Sequence, residues 1–215
     1  MLKDRIRGVR KLVETTKLET LPMDGETPED VSRDARGLAV LLLFAAYENL
    51  LYSLCRNLLE VAAKSRARGA RLKPGIRLFL VHKEISGLGA TGQRKLWKTS
   101  GPQLIAALSD RPASDLDMEA FPDDGSYMKA SQVKLFCEVF EFGDPGPILR
   151  EVWGKIDSIV DQRNGIAHGR LLPDEVGRNF THDEIINLIT AWEDRWTDFL
   201  DWIEGKCSEK KFYLI

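Results

Sequence analysis

Apolar residues recur along this chain at helical spacings of three and four, and no stretch shows strand alternation bounded by hairpin signals. Leu2, Ile6, Val9 and Val13 mark one face of a first helix that fades near Leu21 and Pro22. Met23 to Glu26 is turn-like. Thr27-Pro28-Glu29-Asp30 then reads as a helix start, with a hydroxyl N-cap, proline at the first helical position and acids in the first turn. From there a helical pattern runs to about Arg68, interrupted by no breaker stronger than Gly37. It is most apolar over 38–59, which makes it the expected central helix.

The middle of the chain is less regular. A helix is expected over 74–88, and a second over 94–108 with a break or kink at Gly101-Pro102. The glycine-rich segment 87–92 lacks both the GK[ST] ending of a phosphate-binding loop and the preceding strand of a dinucleotide fold. The acidic, turn-rich stretch 112–125 reads as a surface loop. A short helix follows over 131–142 with Val133, Phe136, Val139 and Phe140 inward, and the glycines and prolines of 143–147 end it. Residues 171–180 read as loop. Thr181 to Glu184 fits a capping box for a last helix whose inward face is Ile185, Leu188, Ile189, Trp192, Trp196, Phe199, Leu200 and Ile203. The expected fold is all-α, organised around one long central helix. Residues 1–215 are taken as a single domain, with 74–125 as a possible insertion.

Two polar residues break the apolar pattern. Val152, Ile156 and Ile159 form a seam that, carried forward, lands on Arg163 and Ile166. An inward arginine needs either a structural counter-ion or a cleft in which an anion binds. His168 follows, the side chain suited to proton transfer near neutral pH, and Gly169 after it is the usual helix C-cap glycine. Asn164 shares a helical face with His168, whereas Arg163 and His168 lie about 140° apart on a straight helix. Either a distortion at Gly165 or a second copy of the helix would bring them to one target. The second misfit is Glu48, within the apolar run of the long helix. It is expected to pair with Arg163, as a buried structural ion pair, as a support that holds the arginine at a site, or as both.

Composition narrows the picture. The chain has 215 residues, 43% hydrophobic and 30% charged, as in ordinary soluble domains. A net charge of -2 gives no global signature for nucleic acid, so any such binding needs a local patch. The basic run 64–73, with Arg66 and Arg68, is one candidate; it is either a solvated helix end or a track for a phosphate backbone. Cys55, Cys137 and Cys207 have no metal-ligand spacing, and reduced thiols in the cytoplasm are expected. The N-terminus lacks a signal-peptide core, and the most apolar run, 38–47, is about half the length of a membrane span. No membrane partner is therefore expected. His82 has little context, and His182 is expected to be solvated. Trp192, Trp196 and Phe199 are expected in the core or at a dimer seam.

The segment from Ile156 to Gly169 resembles the "IDxxVxxRNxIAHG" stretch of the HEPN superfamily, in the form with four residues between Arg and His. Tyr47-Glu48-Asn49-Leu50-Leu51 is similar to the "YExxL" of the long helix in the RiboL-PSP-HEPN group, and Phe140 to Gly143 to the aromatic turn before its motif helix. The likeness covers about 38–199 and is weakest in the middle. It implies a bundle that forms a homodimer through the motif helix. It also implies a metal-independent endoribonuclease, acting as a toxin or antiviral effector, with an antitoxin protein as a possible partner. Arg163 would stabilise the charged phosphorane, His168 would transfer protons, Asn164 would orient the imidazole or the phosphate, and Glu48 would support the site. Arg66, Arg68 and Arg170 would contact RNA. No metal or cofactor is implied. Some members of the superfamily bind RNA, a nucleotide or a protein without cutting, and a helical partner protein of the antitoxin kind is a further alternative.

Overall fold

A computed structural model describes residues 2–18, 28–89, 91–208 and 212–215. It is 75% helical, and the described residues contain no strand, only two isolated bridges. In chain order the helices are α1 (Leu2–Leu18), α2 (Pro28–Ala63), α3 (Pro74–Leu78), α4 (His82–Leu88), α5 (Gln93–Lys95), α6 (Gly101–Asp110), α7 (Ala130–Val139), α8 (Gly146–Trp153), α9 (Ile156–Ala167), α10 (Pro173–Gly177) and α11 (His182–Ser208). The all-α expectation holds. The turn at 23–26 and the Thr27 cap lie outside the described residues. The chain packs as two compact units: residues 1–51, 125–133 and 145–202 in the first, and 52–124, 134–144 and 203–215 in the second.

The first unit has an aromatic and aliphatic core. Ile6, Val9 and Val13 of α1, Leu43 and Tyr47 of α2, and Trp192, Trp196 and Phe199 of α11 are buried. Tyr47 stacks on Trp196 with ring centroids 5.3 Å apart and meets Trp192 edge-on at 5.5 Å. Aromatic pairs of this geometry add about 0.5–1.5 kcal/mol beyond the area they bury. The capping box of α11 is present: Thr181 N–H donates to Glu184 Oε2 at 2.7 Å, and Glu184 N–H donates back to Thr181 Oγ1 at 3.2 Å. His182, expected to be solvated, is instead half-buried, with Nδ1 out of solvent.

Two local expectations are corrected within this unit. The burial seam Val152, Ile156, Ile159 is real, but the helix breaks at Gly154 and Lys155, so α9 starts only at Ile156. Residues 171–180 are not wholly loop, because Pro173 and the acids behind it nucleate α10. That turn docks on α2 with close backbone approach: a Cβ on Gly37 would lie 1.9 Å from the Pro173 carbonyl oxygen, and one on Gly177 equally close to that of Arg33. Arg36 beside Gly37 is buried; its Nε donates to Gly177 O at 3.1 Å and its Nη1 to Ser32 Oγ at 2.7 Å.

In the second unit, Phe136, Phe140, Phe142 and Phe79 form the aromatic core. Val139, expected inward beside them, is half-buried. The helix expected over 74–88 is split into α3 and α4 by the buried turn Phe79-Leu80-Val81. Gly101-Pro102 does not break its helix. A π-helical turn, Leu96–Ser100, runs into α6, and Gly101 N–H donates to Leu96 O, so the ladder passes the proline with one wide ring. The acidic segment 112–125 is more than a surface loop: Ala113 and Leu116 are buried and Phe121 packs on Tyr52 at 4.7 Å. The central helix ends at Ala63, short of Arg68. Its window of membrane-span length and hydropathy exceeds the run read at 38–47, and half of that window is buried inside the protein.

Candidate active site

The site residues of the first unit gather at the C-terminal end of α9. Ile156, Ile159 and Val160 bury one face of this helix, and its acidic residues tie it down: Asp157 Oδ1 accepts from Ala130 N–H at 2.8 Å and Asp161 pairs with Lys129 at 2.8 Å. The helix ends in a Schellman motif. Arg170 N–H donates to Gly165 O at 2.8 Å and Gly169 N–H to Ile166 O at 3.0 Å. Gly169 has φ +67°, a conformation that is costly for any residue with a Cβ. The Gly165 to Gly169 pattern thus sets where the helix stops and places His168 at its cap.

Arg163 is half-buried, as the misfit in the apolar seam predicts. Its guanidinium carbon lies 4.4 Å from the centroid of the Phe44 ring. Phe44 meets Tyr47 edge-on at 5.3 Å, so the ring under Arg163 is braced by the aromatic cluster of the core. A cation held over an aromatic face gains about 0.5–1 kcal/mol, more when desolvated. Arg163 Nη1 also donates to Asn164 Oδ1 at 2.9 Å. The side chain of Asn164 therefore orients the arginine, and its backbone carbonyl accepts from His168 N–H at 3.1 Å. Asn164 links the two residues, though not by holding the imidazole.

Glu48 is half-buried on α2, and its electrostatic coupling to Arg163 identifies the two as neighbours. Among the described residues, however, they close no ion pair. Burial pushes the Glu48 carboxyl above the usual carboxylate range, and the attraction of Arg163 offsets this only in part. A tight buried salt bridge would have the opposite sign. His168 is exposed, and its imidazole has no protein partner among the described residues. Arg170 is exposed beside it.

Arg66 and Arg68 belong to the second unit. His82, also there, lies 3.5 Å from Asp117. Cys55 and Cys137 are buried, and burial pushes both thiols up to about 12. Among the described residues no group of three His, Cys, Asp or Glu is placed to hold a metal ion.

Sequence reading missed Phe44, because an aromatic residue in an apolar helix carries no mark of the cation above it. It also missed the groove of about 380 Å³ beside α9, lined by Ser158, Gln162, Asn179 and Asn187 among others. Comparison with protein-family models, with curated proteins and with solved structures finds no match for this chain.

Proposed function

We propose that this chain is a HEPN-type endoribonuclease that works as a homodimer in the cytoplasm, as a toxin or antiviral effector restrained by a partner protein. The observation that carries the reading is Arg163. It is held by Phe44 and Asn164, and among the described residues no carboxylate closes an ion pair with it, Glu48 included. A half-buried cation kept in place with no ion-pair partner suits a ligand anion. The exposed His168 at the cap of the same helix adds a proton carrier.

The chemistry follows from those residue types. The 2′-hydroxyl of RNA attacks the adjacent phosphorus as its proton is taken up, and the bond to the 5′-oxygen breaks as that oxygen receives a proton. The products are a 2′,3′-cyclic phosphate and a 5′-hydroxyl. Arg163 would stabilise the extra charge on the phosphorane through paired N–H donors. His168 would carry the proton to or from one of the two oxygens. The substrate supplies its own nucleophile, so charge stabilisation and proton transfer suffice. Apposing α9 of two subunits would set Arg163 of one beside His168 of the other. Arg170 would contact a flanking phosphate.

Incubation of the protein with end-labelled RNA in EDTA tests this. Cleavage by the wild type, lost in Arg163→Ala and in His168→Ala and leaving cyclic phosphate ends, is the expected result. Intact RNA with and without added metal would overturn it. A second reading, an RNA-binding HEPN domain that does not cut, is favoured by one observation: among the described residues no protein group orients the His168 imidazole. It predicts RNA binding without new ends.

A further inference from the structure

The second unit contains a stretch whose backbone is tied down while its charged side chains go unused. Residues 65–72 run from the end of α2 into α3, and hydrogen bonds fix them from both sides. Gly69 N–H donates to Arg111 O at 2.8 Å and Ala113 N–H donates to Ala67 O at 2.9 Å. On the other flank, Lys73 N–H donates to Tyr213 O at 2.9 Å and Ile215 N–H donates to Arg71 O at 3.1 Å. Arg77 Nη2 clamps the carbonyls of Ala70 at 3.1 Å and Leu72 at 2.9 Å. Gly69 and Leu72 are buried, so the arc is anchored through its small and apolar members.

Arg66, Arg68 and Arg71 are exposed on this arc. None of their side chains makes a hydrogen bond or an ion pair among the described residues, although other surface arginines here do pair, such as Arg56 with Glu60 at 3.1 Å. The three line one groove of about 690 Å³, with Ser109 and Asp110 at the end of α6 and Tyr213 from the C-terminal segment. Among the described residues that line the groove, Asp110 is the single carboxylate side chain against three guanidiniums, which leaves a positive surplus among them inside a chain of net charge -2. Like charges set close together on a rigid arc repel one another, and an anion long enough to span them removes that cost. Guanidinium forks bind phosphate oxygens bidentately. Tyr213 adds an aromatic ring of the kind on which an unpaired base stacks.

We infer that this groove binds the phosphodiester backbone of single-stranded RNA, as a subsite in a different unit from Arg163 and His168. The choice of RNA rests on the function proposed above, whereas the anion-binding character rests on the arginines themselves. Arg71 and Tyr213 join Arg66 and Arg68 because the C-terminal segment docks against the arc.

The test uses the full-length chain carrying His168→Ala, which removes cutting, and a fluorescent single-stranded RNA titrated by anisotropy at several salt concentrations. Adding Arg66→Ala, Arg68→Ala and Arg71→Ala together should weaken binding at least tenfold at low salt. It should also reduce the slope of log K against log salt by about 2, since each phosphate contact on a single strand contributes about 0.7. The corresponding triple lysine variant should keep most of the slope, which separates lost charge from lost fold. An unchanged slope and affinity in the triple alanine variant would overturn the inference, as would inorganic pyrophosphate competing as well as unlabelled RNA does. A wild type that leaves RNA intact while the triple variant still loses slope would sink the nuclease and leave the groove standing. A wild type that cuts, with unchanged KM and slope in the triple variant, would do the reverse.

Discussion

Two inward-facing arginines of the first unit show what separates a structural cation from a candidate catalytic one. Arg36 is buried, and its donors end on fixed acceptors, the Gly177 carbonyl and the Ser32 hydroxyl. It joins α10 to α2, and burial, together with its neighbour Arg33, pushes its pKa down. Arg163 is half-buried, rests on the Phe44 ring and spends one N–H on its neighbour Asn164. Neither closes an ion pair with a carboxylate among the described residues. The difference is whether the protein has used the donors: Arg36 is consumed by the fold, whereas Arg163 is braced by it and left available.

The sharpest way to break this comparison is to exchange the readouts. Arg163→Ala and His168→Ala should each lower RNA cleavage by about 10²–10³-fold, the range for losing one group that stabilises developing charge. Stability in Arg163→Ala should change by no more than about 1 kcal/mol, the worth of the cation over the ring. Arg36→Ala should do the opposite. Denaturant unfolding should show a loss of about 3 kcal/mol, because a buried carbonyl loses its charged donor, while the folded fraction keeps its activity per molecule. An active Arg163→Ala protein, or an Arg163→Ala protein that unfolds as Arg36→Ala does, would erase the distinction.

Mixed dimers sharpen it further. Co-purified Arg163→Ala and His168→Ala chains, each inactive alone, should recover about a quarter of wild-type activity if each site takes its arginine and histidine from different subunits, since half the dimers are mixed and each holds one intact site. No recovery would place both groups on one chain. Gly169→Ala comes next in size. Its positive φ predicts a loss of about 1 kcal/mol in thermal unfolding, with a drop in activity as the cap that holds His168 shifts.

The smallest effect is expected at Glu48. Its folded-state carboxyl is raised above the unfolded value, mainly by burial, so its charged form opposes folding. That cost is full above the folded-state value and is relieved as pH falls through it towards the ordinary carboxylate range. Glu48→Gln should therefore raise Tm slightly at about pH 8 and lose that advantage by about pH 4. A loss of Tm at neutral pH would mean that Glu48 is a salt-bridge partner of Arg163 after all.

Much of this was legible because it is local. Periodicity marks α2 and α11 and buries Trp192 and Trp196; the Thr181 and Glu184 pair marks a helix start, and Gly169 a helix end. The same logic flagged Arg163 and Glu48 as misfits in apolar seams, and both are half-buried. It misjudged the join before α9, where an unbroken seam of buried residues concealed a broken helix at Gly154. Burial depends on which way a side chain faces, not on whether the backbone ladder beneath it is continuous.

By itself, then, the amino-acid sequence determined the all-α class, the start of α11, the end of α9 and the positions where charge intrudes on the core, because turns, caps and amphipathic faces are decided within a few residues. Only the tertiary structure decided what those charges meet. Phe44 lies more than a hundred positions before Arg163, and Gly177 as far beyond Arg36. Tyr213 reaches the arginine arc only through the docking of the C-terminal segment. Whether a guanidinium is consumed or left available depends on which distant acceptors the fold brings within about 3 Å of it, and no spacing along the chain encodes that distance.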